Sequence, residues 1–332
     1  MGRVLVTGGA GFLGSHVAAA LIERGHDVTV LDDLSGGFRA NVPAAARFVL
    51  GSVADAALVD TVFADGRFTH VYHLAAYAAE GLSHFIRRFN YTNNVLGSVN
   101  LMNAAVNTGV GTFVFTSSIA VYGAAPSLPV TEAMVPRPVD PYGIAKYAVE
   151  LDLHACHEMF GLDYVIFRPH NVFGPRQNIG DRYRNVVGIF MNQVLQGLPM
   201  TIFGDGTQTR AFSYIDDVAP VIAESVDVPD ARNRVFNIGA DDACSLNELS
   251  DLVAAAMGTE PTAVHLAARH EVQHIHADHA EVRRVFGSRR HIALREGLAR
   301  TAAWVREHGS RATRPFEAIE ITRNLPDAWR GR

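Results

Sequence analysis

The stretch RVLVTGGAGFLGSH, residues 3–16, decides the fold. It opens as a short apolar, β-branched run, turns at glycines, and continues into the helical pattern GSHVAAALIERG over 14–25. Two glycine spacings read across the junction: Gly9-x-Gly11-x-x-Gly14 and, counting Gly8, Gly8-x-x-Gly11-x-x-Gly14. A Gly-rich turn between a strand and a helix lets backbone amides approach a pyrophosphate, and the helix N-terminus faces that anion with partial positive charge. Phe12 and Leu13, between the second and third glycines, are expected to bind the cofactor with them. The loop lacks the Gly-Lys-Ser/Thr ending of a phosphate-binding NTPase loop, which excludes that class.

The next strand, DVTVLD over 27–32, ends on Asp32, eighteen residues after Gly14, with Asp33 beside it. A carboxylate there accepts hydrogen bonds from ribose hydroxyls and repels a 2′-phosphate, so the expected cofactor is NAD rather than NADP. FVLG (48–51), HVYHLA (70–75), FVFTSS (113–118) and YVIFRP (164–169) also read as strands. Helical patterns such as NVLGSVNLMNAAVNTG (94–109) lie between them. This alternation predicts an α/β protein built on a Rossmann-type doubly wound parallel sheet covered on both faces.

Beyond about residue 170 the rhythm breaks, as Pro and Gly punctuate RPHNVFGPRQNIGDRYRN and LQGLPMTIFGDGTQTR. The expected organisation is an NAD-binding domain over 1–170, with some later segments returning to it, and a smaller irregular lobe over 171–332. The tail RPFEAIEITRNLPDAWRGR (314–332) reads as an edge strand or a subunit contact.

Composition narrows the partners. The 332 residues are 48% hydrophobic and 19% charged, and no run approaches the roughly 18 apolar residues of a membrane span. The chain enters a strand at once, so no signal peptide is expected. Two cysteines, Cys156 and Cys244, are too few for a disulfide framework and fit a reducing cytoplasm. With a net charge of −5 and no basic run interleaved with aromatics, nucleic acid is not an expected partner. The histidines of HEVQHIHADH (270–279) and HACH (154–157) mix helix-like and strand-like spacings, so they are read as solvated or satisfied and no metal is expected.

The chemistry is read from DPYGIAKYAVE, residues 140–150. Tyr142 and Lys146 stand four apart, on one face of a helix that starts at a proline. An ammonium beside a phenol, helped by a bound nicotinamide's positive charge, is expected to lower the phenol's pKa, making Tyr142 a general base for an alcohol. Lys146 also reaches the nicotinamide ribose in this reading. Ser118, at the end of the FVFTSS strand, stands where open α/β sheets bind their ligands, and its hydroxyl would bridge the substrate and Tyr142.

A dinucleotide loop followed by strand-borne serine, tyrosine and lysine resembles the short-chain dehydrogenase/reductase superfamily. Length and the second half point to its extended branch, the NAD-dependent sugar-nucleotide epimerases and dehydratases. The resemblance spans almost the whole chain. It implies that Leu74, Ala75, Ala76 and Asn94 lie against the cofactor. RPHNVFGPRQ, the 184–218 region and VFNIG (235–239) look like that branch's nucleotide-sugar lobe. There Asn171 would contact the diphosphate or sugar, and Asn185 and Val186 the nucleotide. Thr201 and Phe203 would run beside the base, and Arg210 would clamp the diphosphate with Arg269 as the second arginine. A homodimer is the family expectation.

The branch's dehydratases carry an acid–base pair directly after the Ser/Thr, and its decarboxylases keep a glutamate nearby. Here those positions are Ile119 and Ala120, which hold no proton to move. The expected reaction is therefore C4 epimerisation of a nucleotide-activated hexose, most simply UDP-glucose and UDP-galactose, through transient oxidation. A UDP-uronate epimerase, a 4,6-dehydratase or a decarboxylase is the alternative. A simple alcohol dehydrogenase would not need Arg210 and its lobe, and a non-catalytic NAD-binding protein would not need the catalytic trio. Glu80 departs from the usual epimerase pattern; it would bind hydroxyls, bind a basic amino sugar, or face solvent. No arginine follows it until Arg87, and Asn171 replaces the threonine of uronate epimerases, so a neutral hexose is favoured.

Overall fold

Strand β1 (Arg3–Thr7) sends Val4 and Val6 to one face of a sheet and Leu5 to the other, and all three are fully buried. A strand apolar on both sides needs cover on both sides, and the chain supplies it. The computed structural model describes residues 1–313 and 315–330. Its main sheet is seven-stranded and parallel. With β2 (Asp27–Asp32), β3 (Arg47–Leu50), β4 (His70–His73), β5 (Thr112–Thr116) and β6 (Asp163–Pro169), the order from one edge is β3, β2, β1, β4, β5, β6, then Arg234–Ile238. The seventh strand corrects the reading that placed VFNIG in the substrate lobe. It pairs with β6 along its whole length, Arg234 opposite Val165 and Ile238 opposite Pro169.

One face is covered by Phe12–Glu23 and Ile215–Glu224, through Val17, Leu21, Val218 and Ile222. Ala56–Gly66, Gly97–Thr108 and Pro141–Phe160 cover the other, through Val59, Phe63, Leu101, Met102, Val149 and Leu153. The segments following β1 and β4 thus leave towards opposite faces, and a crevice opens between them at the carboxyl ends of the strands.

The second half adds short pieces around that crevice. Met200–Phe203 pairs with Ala263–Leu266, while Thr209–Ala211 lies between Ala243–Ser245 and His274–Ile275. Phe190, Met191, Leu249 and Val253 from its helices join the hydrophobic cluster that contains Val4 and Val6, so the lobe shares the sheet's core. Within the described residues the tail is not an edge strand: residues 315–330 fold back against Tyr77, Phe85 and Phe89. No helix is long and apolar enough to cross a membrane.

The Pro141–Phe160 helix is locked to β6 by Arg168 and Glu150, whose paired side chains are each 5% exposed. Arg168 also donates to the Tyr122 hydroxyl at 2.7 Å, and Tyr122 donates to Asn237 Oδ1 on the seventh strand at 2.8 Å. A buried carboxylate stripped of its partner keeps its desolvation cost. Arg168→Met is therefore expected to lower unfolding free energy by about 3–5 kcal/mol in urea titrations. Adding Glu150→Gln should recover part of the loss; no recovery would mean that the arginine acts through packing.

Candidate active site

Asp140 caps the helix that carries Tyr142, accepting from the Gly143 amide at 2.9 Å, and Pro141 takes the first helical position. A Cβ on Gly143 would lie 2.6 Å from the Ala120 carbonyl oxygen, so only glycine lets this helix press against the turn after β5. That turn starts at Ser118, whose Oγ accepts from the Ala120 amide at 3.1 Å. The close approach brings the Ser118 hydroxyl and the Tyr142 phenol to the wall of one cavity, where the serine pulls the phenol towards ionisation. One helical turn on, Lys146 Nζ donates to the Thr116 carbonyl at 2.8 Å and lies 5.8 Å from the centre of the Tyr142 ring. All three predicted catalytic side chains meet at the carboxyl end of β5.

Their ionisation differs from the sequence expectation. Burial raises the Tyr142 phenol above its ordinary value, and Glu80 and Asp140 push the same way against the Ser118 hydrogen bond and Arg184. Burial also lowers the Lys146 ammonium to about 7, opposed by Glu150. Among the protein's own groups, burial thus outweighs every nearby charge on the phenol, which leaves its lowering to the charge of a bound nicotinamide. Asp140, buried and close to Glu80, is itself raised to about 7.

A cavity of ≈ 450 Å³ joins this trio to the Gly-rich loop. Gly8 has φ +72°, and a Cβ on it would sit 2.7 Å from the Ala75 amide nitrogen; one on Gly14 would sit 2.2 Å from the Gly8 carbonyl oxygen. Gly11 precedes the Phe12–Glu23 helix, which has no side-chain cap and no acid in its first turn. The amides of Phe12, Leu13 and Gly14 are therefore open towards the cavity that these residues line. Leu74, Ala75 and Ala76 line it from the end of β4. Asp32, at the end of β2, accepts from the Ala10 amide at 2.9 Å and the Leu34 amide at 2.8 Å, while exposed Asp33 accepts from Ser35. Asp32 therefore also shapes the loop that sequence made it only a partner to. A backbone cradle, an uncapped helix and a carboxylate at the ribose end fit a dinucleotide.

Asn94 is placed differently from the expectation. It is 1% exposed, in a π-helical segment (Thr92–Leu96), and does not line the cavity. Its amide accepts from the Tyr77 nitrogen at 2.9 Å and donates to Asn90 at 2.8 Å, and Asn90 donates to the Pro141 carbonyl at 2.9 Å. Asn94 thereby ties the loop after β4 to the start of the Tyr142 helix.

The second half lines the cavity's other end. Asn171 (φ +42°) donates to the Ala211 carbonyl at 3.1 Å, and Asn185 (φ +60°) precedes the helix that Val186 begins. Thr201 accepts from Gln193 at 2.9 Å. Arg210 donates to the Thr209 and Gln273 carbonyls at 2.8 and 2.9 Å. Arg269 donates to Glu271 at 3.0 Å with its guanidinium 4.6 Å over the Phe203 ring. Glu80 opens on the same space; burial raises its carboxyl, against the pull of Arg210 and Arg269. Sequence reasoning missed Arg184, which lines the cavity, pairs with Asp181 at 2.6 Å and covers the Tyr77 ring at 4.6 Å. Its signal was its place directly before Asn185. Of the histidines, His270 lines the cavity, and His279 pairs with His170 at 3.0 Å and Asp241 at 2.7 Å. Among the described residues, no group of three or more His, Cys, Asp or Glu could hold a metal ion.

Comparisons with known proteins agree with this geometry. A model of the NAD dependent epimerase/dehydratase family matches residues 4–239. The UDP-glucose 4-epimerase of Mycolicibacterium smegmatis is 36% identical over an alignment of 312 residues that covers 92% of this chain and 98% of that one. The structure of UDP-glucose 4-epimerase from Thermotoga maritima with UDP-glucose superposes with TM-score 0.87 at 35% identity, covering 92% and 99%. That of the Thermus thermophilus UDP-glucose 4-epimerase complex with NAD gives 0.85 at 34%, with the same coverage.

The depressed Lys146 carries a pH signature. Below about pH 7 the ammonium is charged in both the folded and unfolded chain, and its burial cost is present in full. The cost fades as pH rises from about 7 towards 10.5, because only the unfolded chain then holds the proton. Lys146→Met is expected to raise the melting temperature of nucleotide-free protein at pH 6 and to lose that advantage towards pH 10, followed by circular dichroism. An equal gain at both ends would contradict a buried, charged lysine.

Proposed function

The chain belongs to the NAD-dependent epimerase/dehydratase family, and from that premise we propose that it inverts C4 of a nucleotide-activated hexose, interconverting UDP-glucose and UDP-galactose with NAD as resident cofactor. The observation that carries this is the Ser118–Tyr142–Lys146 trio on the dinucleotide cavity, followed by Ile119 and Ala120, 5% and 6% exposed, where elimination would need acid–base groups. Bound NAD supplies the hydride acceptor for C4 and returns the hydride.

The rest falls to the chain. Tyr142, ionised with the help of the bound nicotinamide's positive charge, takes the C4 hydroxyl proton and gives it back, and Ser118, beside it on the cavity wall, completes the relay. Lys146 spends one N–H on Thr116 and keeps others for the nicotinamide ribose. Arg210 and Arg269 hold the diphosphate, a task suited to fixed planar guanidinium groups, while the oxidised sugar turns to offer its other face. Glu80 disfavours a sugar carboxylate, and the charge of Arg184 is matched by Asp181, so a neutral hexose suits the pocket better than a uronic acid.

We further propose a homodimer. Ile144 and Leu151, 42% and 55% exposed, stand seven residues apart on the Pro141–Phe160 helix, and Leu96, 49% exposed, lies in the neighbouring helical segment. The two unpaired cysteines suit a reducing cytoplasm.

Purified protein given UDP-glucose without added cofactor should form UDP-galactose to a fixed ratio by proton NMR, with no net reduced nicotinamide. Accumulating reduced nicotinamide without galactose would refute epimerisation. Tyr142→Phe should cut kcat by about 10²–10⁴-fold with NAD content unchanged. Light scattering should give twice 36.0 kDa for the native protein and a lower mass for Leu151→Glu.

A further inference from the structure

Residues 315–330 contain no strand and only one helical turn, Asp327–Trp329, yet they are fastened at several points. The Phe316 amide donates to the Tyr183 hydroxyl at 2.9 Å, and Arg182 donates to the Ala328 carbonyl. Glu320 accepts from the Arg88 and Phe89 amides at 2.8 and 2.9 Å. Leu325 and Trp329 form a small hydrophobic cluster with Ala79, Leu82 and Ile86, separate from the two clusters of the sheet. The segment therefore bridges the wall that follows β4 and the loop around Tyr183.

Trp329 is the centre of the bridge and is 4% exposed. Its ring meets Tyr183 and Phe203 edge-on, with centroids 5.4 and 5.8 Å away. The Arg269 guanidinium lies over both Phe203, at 4.6 Å, and Trp329, at 5.6 Å. Gly81, next to Glu80, faces both groups: a Cβ there would come 3.0 Å from the indole and 3.5 Å from the Arg269 guanidinium. All four neighbours line the substrate end of the cavity. The indole thus touches the segment of the proposed base contact, the second arginine and the Glu80 turn together.

We propose that residues 315–330 are a strap that completes the nucleotide-sugar site, with Trp329 the positioning residue that presets Arg269 for the diphosphate and Glu80 for the sugar. The proposal rests on reading the cavity as a nucleotide-sugar site. A guanidinium stacked on two aromatic rings and paired with Glu271 has lost its rotamer freedom before the ligand arrives, so binding does not have to order it. Ala79 and Leu82, packed with Trp329 in one cluster, likewise fix the Glu80–Ser83 turn against the tail. The relatives compared above are matched over 98–99% of their length but cover 92% of this chain, so part of this chain lies outside what it shares with them.

The test uses the full-length holoenzyme, with UDP binding by calorimetry, UDP-glucose kinetics and bound NAD measured on each variant. Trp329→Ala should raise the Kd for UDP and the KM for UDP-glucose about tenfold or more, with kcat changed less than about twofold and NAD content unchanged. Trp329→Phe, which keeps an aromatic face, should restore most of the affinity. If Trp329→Ala does not fold, Glu320→Gln loosens the strap from the Arg88 and Phe89 amides and should show the same split at smaller size. Wild-type binding of UDP with no change in any variant overturns the strap and leaves the functional reading intact. Parallel losses of kcat, NAD and melting temperature overturn it as well, since they mark general damage. Wild-type protein that does not bind UDP overturns the functional reading and the strap with it.

Discussion

The contact between the Gly8 carbonyl and Gly14 brings three elements to one point: the end of β1, the start of the Phe12–Glu23 helix and, through Ala75, the end of β4. Backbone packs on backbone there with no side chain between. A single methyl group on Gly14 would have to occupy the space of a carbonyl oxygen that already accepts from the Gly11 amide, on a residue whose own amide is tied to Leu31 of β2. Because β1 is central, with β2 on one side and β4 on the other, the approach sets both the crevice width and the direction in which the helix amides point. Asp32 reinforces it from β2 by holding the Ala10 amide.

A second close approach, Gly143 on the Ala120 carbonyl, does for the chemical end what Gly14 does for the dinucleotide end. It brings the phenol to the serine, but it also buries both the phenol and the ammonium that follows. Burial opposes ionisation of each, raising Tyr142 and lowering Lys146, so the packing that assembles the trio also biases its protonation. Glu80 and Asp140 add to that bias on Tyr142. The site is built so that charge arriving with a ligand changes its protonation most, because little water is present to screen it. Arg168 and Glu150 sit one layer beneath, and their pairing keeps a carboxylate available to Lys146 inside the core.

The substrate end is held by a different kind of contact. Its arginines are already engaged: Arg210 by backbone carbonyls, Arg269 by Glu271 and two aromatic rings, Arg184 by Asp181 and Tyr77. Side chains as long as arginine carry much rotamer entropy, and spending it in the fold leaves less to lose on binding. This explains why so much aromatic surface gathers where the lobe, the wall after β4 and the tail meet.

The sequence by itself determined the features that are written locally. Apolar strands alternating with helical patterns specified a parallel sheet, and the glycine spacing followed by Asp32 specified where a dinucleotide fits. Tyr142 and Lys146 shared a face because four residues make about one helical turn. What remained illegible depended on contacts between distant parts of the chain, which leave no periodic trace. VFNIG has the same local look in a lobe or a sheet, and only pairing with β6 decided between them. Asn94 sat in a suggestive place, but its partners, Tyr77 and Asn90, turned it away from the cavity. Lys146 next to Tyr142 showed the charges but not the depth of burial, a property of the whole packed molecule, which raises the phenol among the protein's own groups. That Arg184 joins Glu80 and Arg269 at one cavity, and that Trp329 backs Arg269 there, was decided by tertiary structure alone, because residues so far apart in the chain become neighbours only when the lobe and the tail close on the sheet.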